Sequence, residues 1–157
     1  MTAGARRILR LATEFAEEMR ADLAKAVADG TDLPPRIRSV HDRPGHASPE
    51  YRTLAVPIPS YAEGASPTVL SSAIARYAAR RPPTCLLLTL DVVGTSDDGG
   101  PQPLFIVEAR DGSGNRLFLA QPFGIVDQRI EWLDPIEGGW RDPGDDEMII
   151  DAAFEDA

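Results

Sequence analysis

The first region of the chain places its apolar residues with the period of an amphipathic helix. Between Arg7 and Asp29 they recur at three and four positions, the spacing of one helical face. The members of this stripe are Ile8, Leu11, Phe15, Met19, Leu23 and Val27. Gly30 follows as the residue that can end the helix in a left-handed conformation. Arginines replace acids in the first turns, so the pattern predicts a helix with a poorly capped N-terminal end.

A second helix is predicted after residue 65. Ser66 is a favourable N-cap, and Pro67 suits the first helical position because its missing N–H would have no partner there. One apolar face follows, made of Leu70, Ala73, Ile74 and Tyr77. Pro82 and Pro83 then stop the helix.

Beyond Pro83 the apolar residues alternate with a period of two, which indicates β-strands. The core face of the first of these strands is expected to hold Leu86, Leu88, Leu90 and Val92. Residues 104–110 and 116–121 are the next two strands, separated by a Gly-rich turn at 111–115 that favours a hairpin. Ile130, Trp132 and Leu133 suggest a fourth strand. This part of the chain therefore reads as an antiparallel meander.

The 35 or so residues between the helices are too many for a structureless connection, because loops beyond about 15 residues are uncommon. Ile37 to Val40 and the alternating Leu54, Val56 and Ile58 are candidate strands, and the neighbouring prolines restrict this hairpin to an edge or to an irregular path. The order α-ββ-α-βββ(β) predicts one α+β domain over residues 1–157, with both helices on one face of a four- to five-stranded antiparallel sheet. We expect residues 1–6 and 142–157 to be mobile.

Composition and charge narrow the classes of partner. The net charge is −9, and residues 82–157 carry 16 acidic against 4 basic residues, so nucleic acid is an unfavourable partner. No run approaches the ~18 apolar residues of a membrane span. A single cysteine, Cys85, cannot form an internal disulfide. These features predict a cytoplasmic protein without a membrane or nucleic-acid partner.

The sequence contains few groups that indicate a reaction. His41 and His46 flank a Pro-Gly loop, and Asp91 and Glu108 lie on adjacent predicted strands where two carboxylates can divide acid and base roles. Trp140 is a candidate surface anchor for a partner. Phosphate-binding loops and paired metal-ligand motifs are missing, so no metal and no cofactor are expected.

The leading hypothesis from these patterns is a non-enzymatic protein-binding or accessory protein that acts as a homodimer. A long first helix would overhang a narrow sheet, which places Ile8 and Phe15 at a contact with a second copy. The alternative is a small-ligand-binding or hydrolytic α+β barrel, in which His41, His46, Asp91 or Glu108 supplies the polar groups of a pocket.

Overall fold

A computed structural model describes residues 1–56 and 66–155 of the 157-residue chain. Within these ranges lie two α-helices, six strands and two short 3-10 helices. The α-helices and strands are α1 (Ala3–Asp29), β1 (Arg36–His41), β2 (Glu50–Ala55), α2 (Pro67–Arg80), β3 (Cys85–Thr95), β4 (Pro101–Asp111), β5 (Arg116–Val126) and β6 (Arg129–Trp132). The 3-10 helices are Ile136–Gly138 and Ile149–Phe154. Ile58, predicted as part of the second strand, lies outside the described residues.

The caps at the helix ends explain where the helices begin and stop. α1 begins four residues before the predicted start because the Thr2 hydroxyl accepts a hydrogen bond from the Ala5 N–H at 3.1 Å. The first turn contains no acid, as expected, but the predicted poor capping of this end is wrong. Gly30 takes the predicted left-handed conformation, with φ 70°, and ends this helix. In α2 the Ser66 hydroxyl accepts from the Val69 N–H at 3.2 Å, which confirms the predicted N-cap.

All neighbouring strands of the sheet pair antiparallel. Their order is β2-β1-β3-β4-β5-β6, so the sheet has six strands, one more than the upper limit of the prediction. The predicted meander is formed by β3, β4 and β5. The hairpin of β1 and β2 joins this meander through β1, which pairs with β3. This arrangement leaves β2 at one edge and confirms the edge position that the prolines indicated.

The two helices lie on opposite faces of the sheet. Residues Cys85 to Leu90 of β3 are all buried, although successive side chains of a strand point to opposite faces. One set of side chains, including Leu87, packs with α1, and the alternate set, including Leu88, packs with α2 and the 3-10 helix Ile149–Phe154. The α+β class and the order of elements are confirmed, but the expectation that both helices share one face is wrong.

The apolar stripe of α1 is buried against the sheet from Ile8 to Leu23, and Val27 at its end is partly buried. Ile8 and Phe15 are 1% and 0% exposed and belong to the core beneath this helix. Both were expected at a contact with a second copy, and their burial within one copy corrects that expectation. The strands β3, β4 and β5 span 11 residues each, so the sheet is long enough to leave no apolar overhang at these positions.

Neither α1 nor α2, the helices within the described parts of the chain, is long and apolar enough to cross a membrane.

Candidate functional site

The two predicted carboxylates lie on opposite faces of the sheet. Asp91 is paired with Phe105, whose side chain belongs to the core under α1. Glu108 is paired with Leu88, whose side chain belongs to the core under α2. Because the sheet separates them, the two carboxyl groups cannot divide acid and base roles at one site.

Glu108 holds the C-terminal segment instead. Its carboxylate is 4% exposed and accepts hydrogen bonds from the backbone N–H groups of Ile149 and Ile150, at 3.2 and 3.1 Å. These donors belong to the first turn of a 3-10 helix, where N–H groups lack partners within the helix. Burial raises the pKa of Glu108 to about 7, against the opposing effect of the two N–H donors.

Asp151 forms a second connection between this segment and the sheet. Its carboxylate accepts hydrogen bonds from Arg110 at 2.8 Å, from Arg116 at 2.7 Å and from the Met148 N–H at 2.8 Å. Burial acts to raise the pKa of Asp151, but the hydrogen bonds from Arg116, the Met148 N–H and Arg110 outweigh it, so the pKa is lowered. Glu108 and Asp151 therefore fix the C-terminal segment, residues 148–154, to the face of the sheet that packs against α2. This is called the second face below, and the face that packs against α1 is the first.

His41 belongs to a buried hydrogen-bonded chain with two hydroxyl groups. Its Nε2 lies 3.1 Å from the Ser39 Oγ, which lies 3.2 Å from the Tyr77 hydroxyl oxygen. Burial lowers the pKa of His41, and nearby Arg81 lowers it further. The side chains resemble a nucleophile and its base, yet Ser39 is 0% exposed. A substrate cannot reach its oxygen, so we read this chain as a satisfied polar contact between β1 and α2.

The remaining predicted residues do not extend this cluster. His46 is exposed in the loop after β1, beside Arg7 and Arg10 of α1, whereas His41 faces α2. Trp140 is half-buried against the core under α1, which leaves only part of its ring for a partner. Among residues 1–56 and 66–155, no three His, Cys, Asp or Glu side chains are grouped as a metal site requires.

An apolar groove lies between the edge strand β2 and helix α2. Its volume is about 430 Å³. The floor is formed by buried Ile37 and Ile74, and Leu54 of β2 forms one wall with 41% of its surface exposed. Tyr77, the last hydroxyl of the chain described above, also lines the groove. The groove is thus a concave apolar surface beside β2, the edge strand of the described sheet.

The backbone of β2 presents unpaired groups along this groove. Val56 donates its N–H to the Pro35 carbonyl at 2.8 Å, and hydrogen-bonded pairs alternate along an antiparallel ladder. By this alternation the N–H and C=O groups of Tyr51, Thr53 and Ala55 point away from β1. They have no partner among the described residues, so the outer side of β2 can accept another strand.

Two arginines of α2 stand at the rim of the groove. Arg76 and Arg80 are four positions apart on the helix, so they share one side of it, and both are exposed. Neither forms an ion pair with a described residue, whereas the neighbouring Arg81 binds both oxygens of Glu50 at 2.8 and 2.9 Å. The rim therefore presents two positive charges above an apolar floor.

Sequence reasoning missed this site, although the signals were present. The apolar alternation around Leu54 identified the edge strand, but it did not show that one apolar side chain stays exposed. The positions of the rim arginines can be explained equally well by the favourable interaction of positive charges with the dipole at the C-terminal end of a helix. Only the pairing of β1 with β3 places Leu54 opposite α2, and that pairing joins residues about 50 positions apart.

No protein-family model matches the chain, and no curated protein or solved structure is significantly similar to it. The geometry of the groove and of the edge strand is therefore the basis for a functional assignment.

Proposed function

We propose that this protein is a non-enzymatic binding protein that holds an extended segment of another protein along β2. The single observation that carries the proposal is the outer side of β2, whose backbone groups have no partner in the described parts of the chain, beside an apolar groove. A segment that adds to a sheet edge gains main-chain hydrogen bonds, and alternate side chains enter the adjacent groove and give specificity. The groups of Tyr51, Thr53 and Ala55 supply the backbone partners, and the surface around Leu54 supplies the groove.

The chemistry of the rim specifies the partner further. Arg76 and Arg80 favour acidic side chains, while Ile37, Ile74 and Leu54 favour apolar ones. A strand places every second residue on the same side. The segment is therefore expected to alternate apolar residues toward the groove and to carry at least one Asp or Glu near the rim.

The enzymatic alternative has less support. A hydrolytic or ligand-binding pocket would require at least two of the residues His41, His46, Asp91 and Glu108 to line the same cavity. His41 lies in a buried chain with Ser39, and Glu108 binds the C-terminal backbone. The groove between β2 and α2 is lined by apolar residues, two arginines and one tyrosine, which favours binding over acid–base chemistry.

A second copy of the chain is the other occupant that this edge fits. Two β2 strands related by a two-fold axis would pair antiparallel, and such dimers are the commonest oligomers. We favour the foreign segment because, in such a dimer, the rim arginines of one copy would lie near those of the other, and the groove supplies no acid to bind them.

We also place the protein in the cytoplasm, since its single cysteine, Cys85, is a buried free thiol that suits a reducing compartment.

Selection of a displayed library of random peptides on the purified protein tests the proposal. Enriched peptides should alternate apolar residues and contain an acid, and their binding should shift the amide resonances of β2 and α2. The decisive variant is Thr53→Pro, which removes an outward N–H without removing a bond to β1. We expect it to weaken binding of a selected peptide by at least about tenfold.

Thr53→Val is the matched control for this variant. Both substitutions remove the Thr53 hydroxyl, which accepts a hydrogen bond from Arg38 at 2.8 Å, but valine keeps the backbone N–H. Binding should survive in Thr53→Val. Equal binding by the proline variant, or failure to enrich any peptide, would contradict the proposal. A dimer in sedimentation equilibrium that Thr53→Pro converts to a monomer would replace the foreign segment with a second copy.

A further inference from the structure

A second depression lies at the beginning of β2, on the face opposite the groove. Its volume is about 300 Å³. Arg7 and Arg10 of α1 form one wall, Arg43 and His46 of the loop after β1 form another, and Tyr51 of β2 lies between them. Tyr51 is paired with Val40, whose side chain packs under α1, so this depression and the groove are separated by the sheet.

The positive charges of this depression are only partly compensated. Arg7 binds both oxygens of Asp42, at 2.9 and 2.6 Å, and this pair also ties the loop to α1. Arg43 donates a hydrogen bond to the Ser48 carbonyl at 3.1 Å. This bond gives one N–H group a partner but does not neutralise the positive charge of the side chain. Arg10 is exposed and forms no hydrogen bond or ion pair within residues 1–56 and 66–155. The guanidinium groups of Arg10 and Arg43 therefore form no ion pair with an acid among the described residues.

The clustering of these arginines is unfavourable for the isolated protein. Arg7, Arg10 and Arg43 line one depression together with a single acid, Asp42. Like charges repel at short range, and a bound anion would relieve this repulsion.

We propose that this depression binds the phosphate group of a small phosphate monoester. A dianion matches the two uncompensated charges, and guanidinium groups bind phosphate oxygens through paired N–H donors. Tyr51, which is 50% exposed, offers a ring against which the organic part of the ester can pack. This site is independent of the groove proposed to hold a peptide.

A small ligand fits this site better than a nucleic-acid backbone does. The depression is near the lower end of the volumes of small-molecule sites, about 300 to 1,000 Å³. A polymer of phosphates would also approach residues 82–157, which contain 16 acidic residues and only 4 basic ones. That acidic half repels a long polyanion, whereas a single phosphate contacts only the arginine cluster.

Titration of isotope-labelled protein with inorganic phosphate and with phenyl phosphate tests this inference. The ionic strength is held constant with chloride. We expect saturable shifts at Arg10, Arg43, His46 and Tyr51, with tighter binding of phenyl phosphate. Arg10→Gln should weaken the binding of both probes by about tenfold, because it removes a charge-assisted contact. Circular dichroism should stay unchanged, since Arg10 is exposed.

Arg129→Gln is the matched control, because Arg129 is an exposed arginine of β6 that lines neither this depression nor the groove. It should leave phosphate binding unchanged. Shifts that never saturate, or an equal loss of affinity in Arg10→Gln and Arg129→Gln, would show general attraction of anions and overturn the site. Inorganic phosphate that binds as tightly as phenyl phosphate would overturn the assignment to an ester.

Discussion

The two faces of the sheet are covered in different ways. On one face α1 buries eight of its residues, seven of which belong to one apolar core. On the other face α2 buries three, two of which belong to the second core, and the short 3-10 helix Ile149–Phe154 packs beside them. Among the described residues, the first face therefore has one continuous cover, whereas the second has two short pieces that must be held in place.

Buried polar groups do much of this holding on the second face. Ser39 and His41 reach toward Tyr77 of α2, while Glu108 and Asp151 fix the C-terminal segment. Each such group must stay hydrogen-bonded, because an unpaired polar group in a core costs about 1 to 3 kcal/mol. The groove beside β2 lies on this same face. Within residues 1–56 and 66–155, the cover of this face leaves an apolar groove, and polar contacts keep its walls in position.

Truncation of the first face is expected to have the largest effect. Phe15→Ala should lower the free energy of unfolding by about 3 to 5 kcal/mol, because it removes a fully buried aromatic ring under α1. Chemical denaturation measures the change. Glu17→Ala, an exposed substitution on the same helix, is the control and should change stability by less than about 0.5 kcal/mol. A loss below about 1 kcal/mol for Phe15→Ala would mean that the first face is not a tight core.

Breaking the ion pairs of Asp151 on the second face is expected to have the next largest effect on stability. Asp151→Asn should cost about 3 kcal/mol, since it leaves Arg110 and Arg116 without their carboxylate. The pKa of Asp151 is lowered, so this stabilisation is present above the ordinary aspartate pKa of about 4 and fades as pH falls below it. Hydrogen exchange should increase first in residues 148–154. Equal increases in α1 would show that the two faces unfold as one unit.

Glu108 provides a pH-dependent test of the same face. Its pKa is raised to about 7 from an ordinary 4.5, so the folded state favours the protonated form. The protein should therefore lose stability as pH rises from about 4.5 to 7, by up to about 3 kcal/mol relative to Glu108→Gln. Denaturation of both proteins at several pH values measures this difference. A difference that stays constant with pH would mean that Glu108 does not change its charge in this range.

The elements of the fold could be predicted because their signals are local. The stripe of α1, the Ser66-Pro67 start of α2 and the alternation in β3 each occupy one stretch of sequence. The assignment of elements to faces failed for a physical reason. Cys85 to Leu90 is apolar on both sides, a pattern that predicts cover on both faces of a strand, yet only one face was assigned to the core.

The candidate site could not be predicted because it depends on contacts between distant residues. Asp91 and Glu108 were chosen as neighbours, and only the register of β3 with β4 shows that they point to opposite faces. The sequence predicts His41 beside a Pro-Gly loop, outside the candidate strand Ile37 to Val40, yet His41 is the last residue of β1 and is buried. Side-chain direction in a sheet reverses with a shift of one residue, so spacing alone does not place a functional group.

The smallest effect on stability is expected at the groove itself. Leu54 and Ile37 are paired across β2 and β1, yet Leu54 is 41% exposed and Ile37 only 3%. Leu54→Ser should change the free energy of unfolding by no more than about 0.5 to 1 kcal/mol, whereas Ile37→Ser should cost at least about 2 kcal/mol. Binding of a peptide selected on the wild-type protein should nevertheless fall in Leu54→Ser, because the groove loses an apolar wall. If Leu54→Ser destabilises the protein as much as Ile37→Ser does, Leu54 belongs to a closed core. The second face would then be covered as completely as the first, and β2 would offer no groove to a partner.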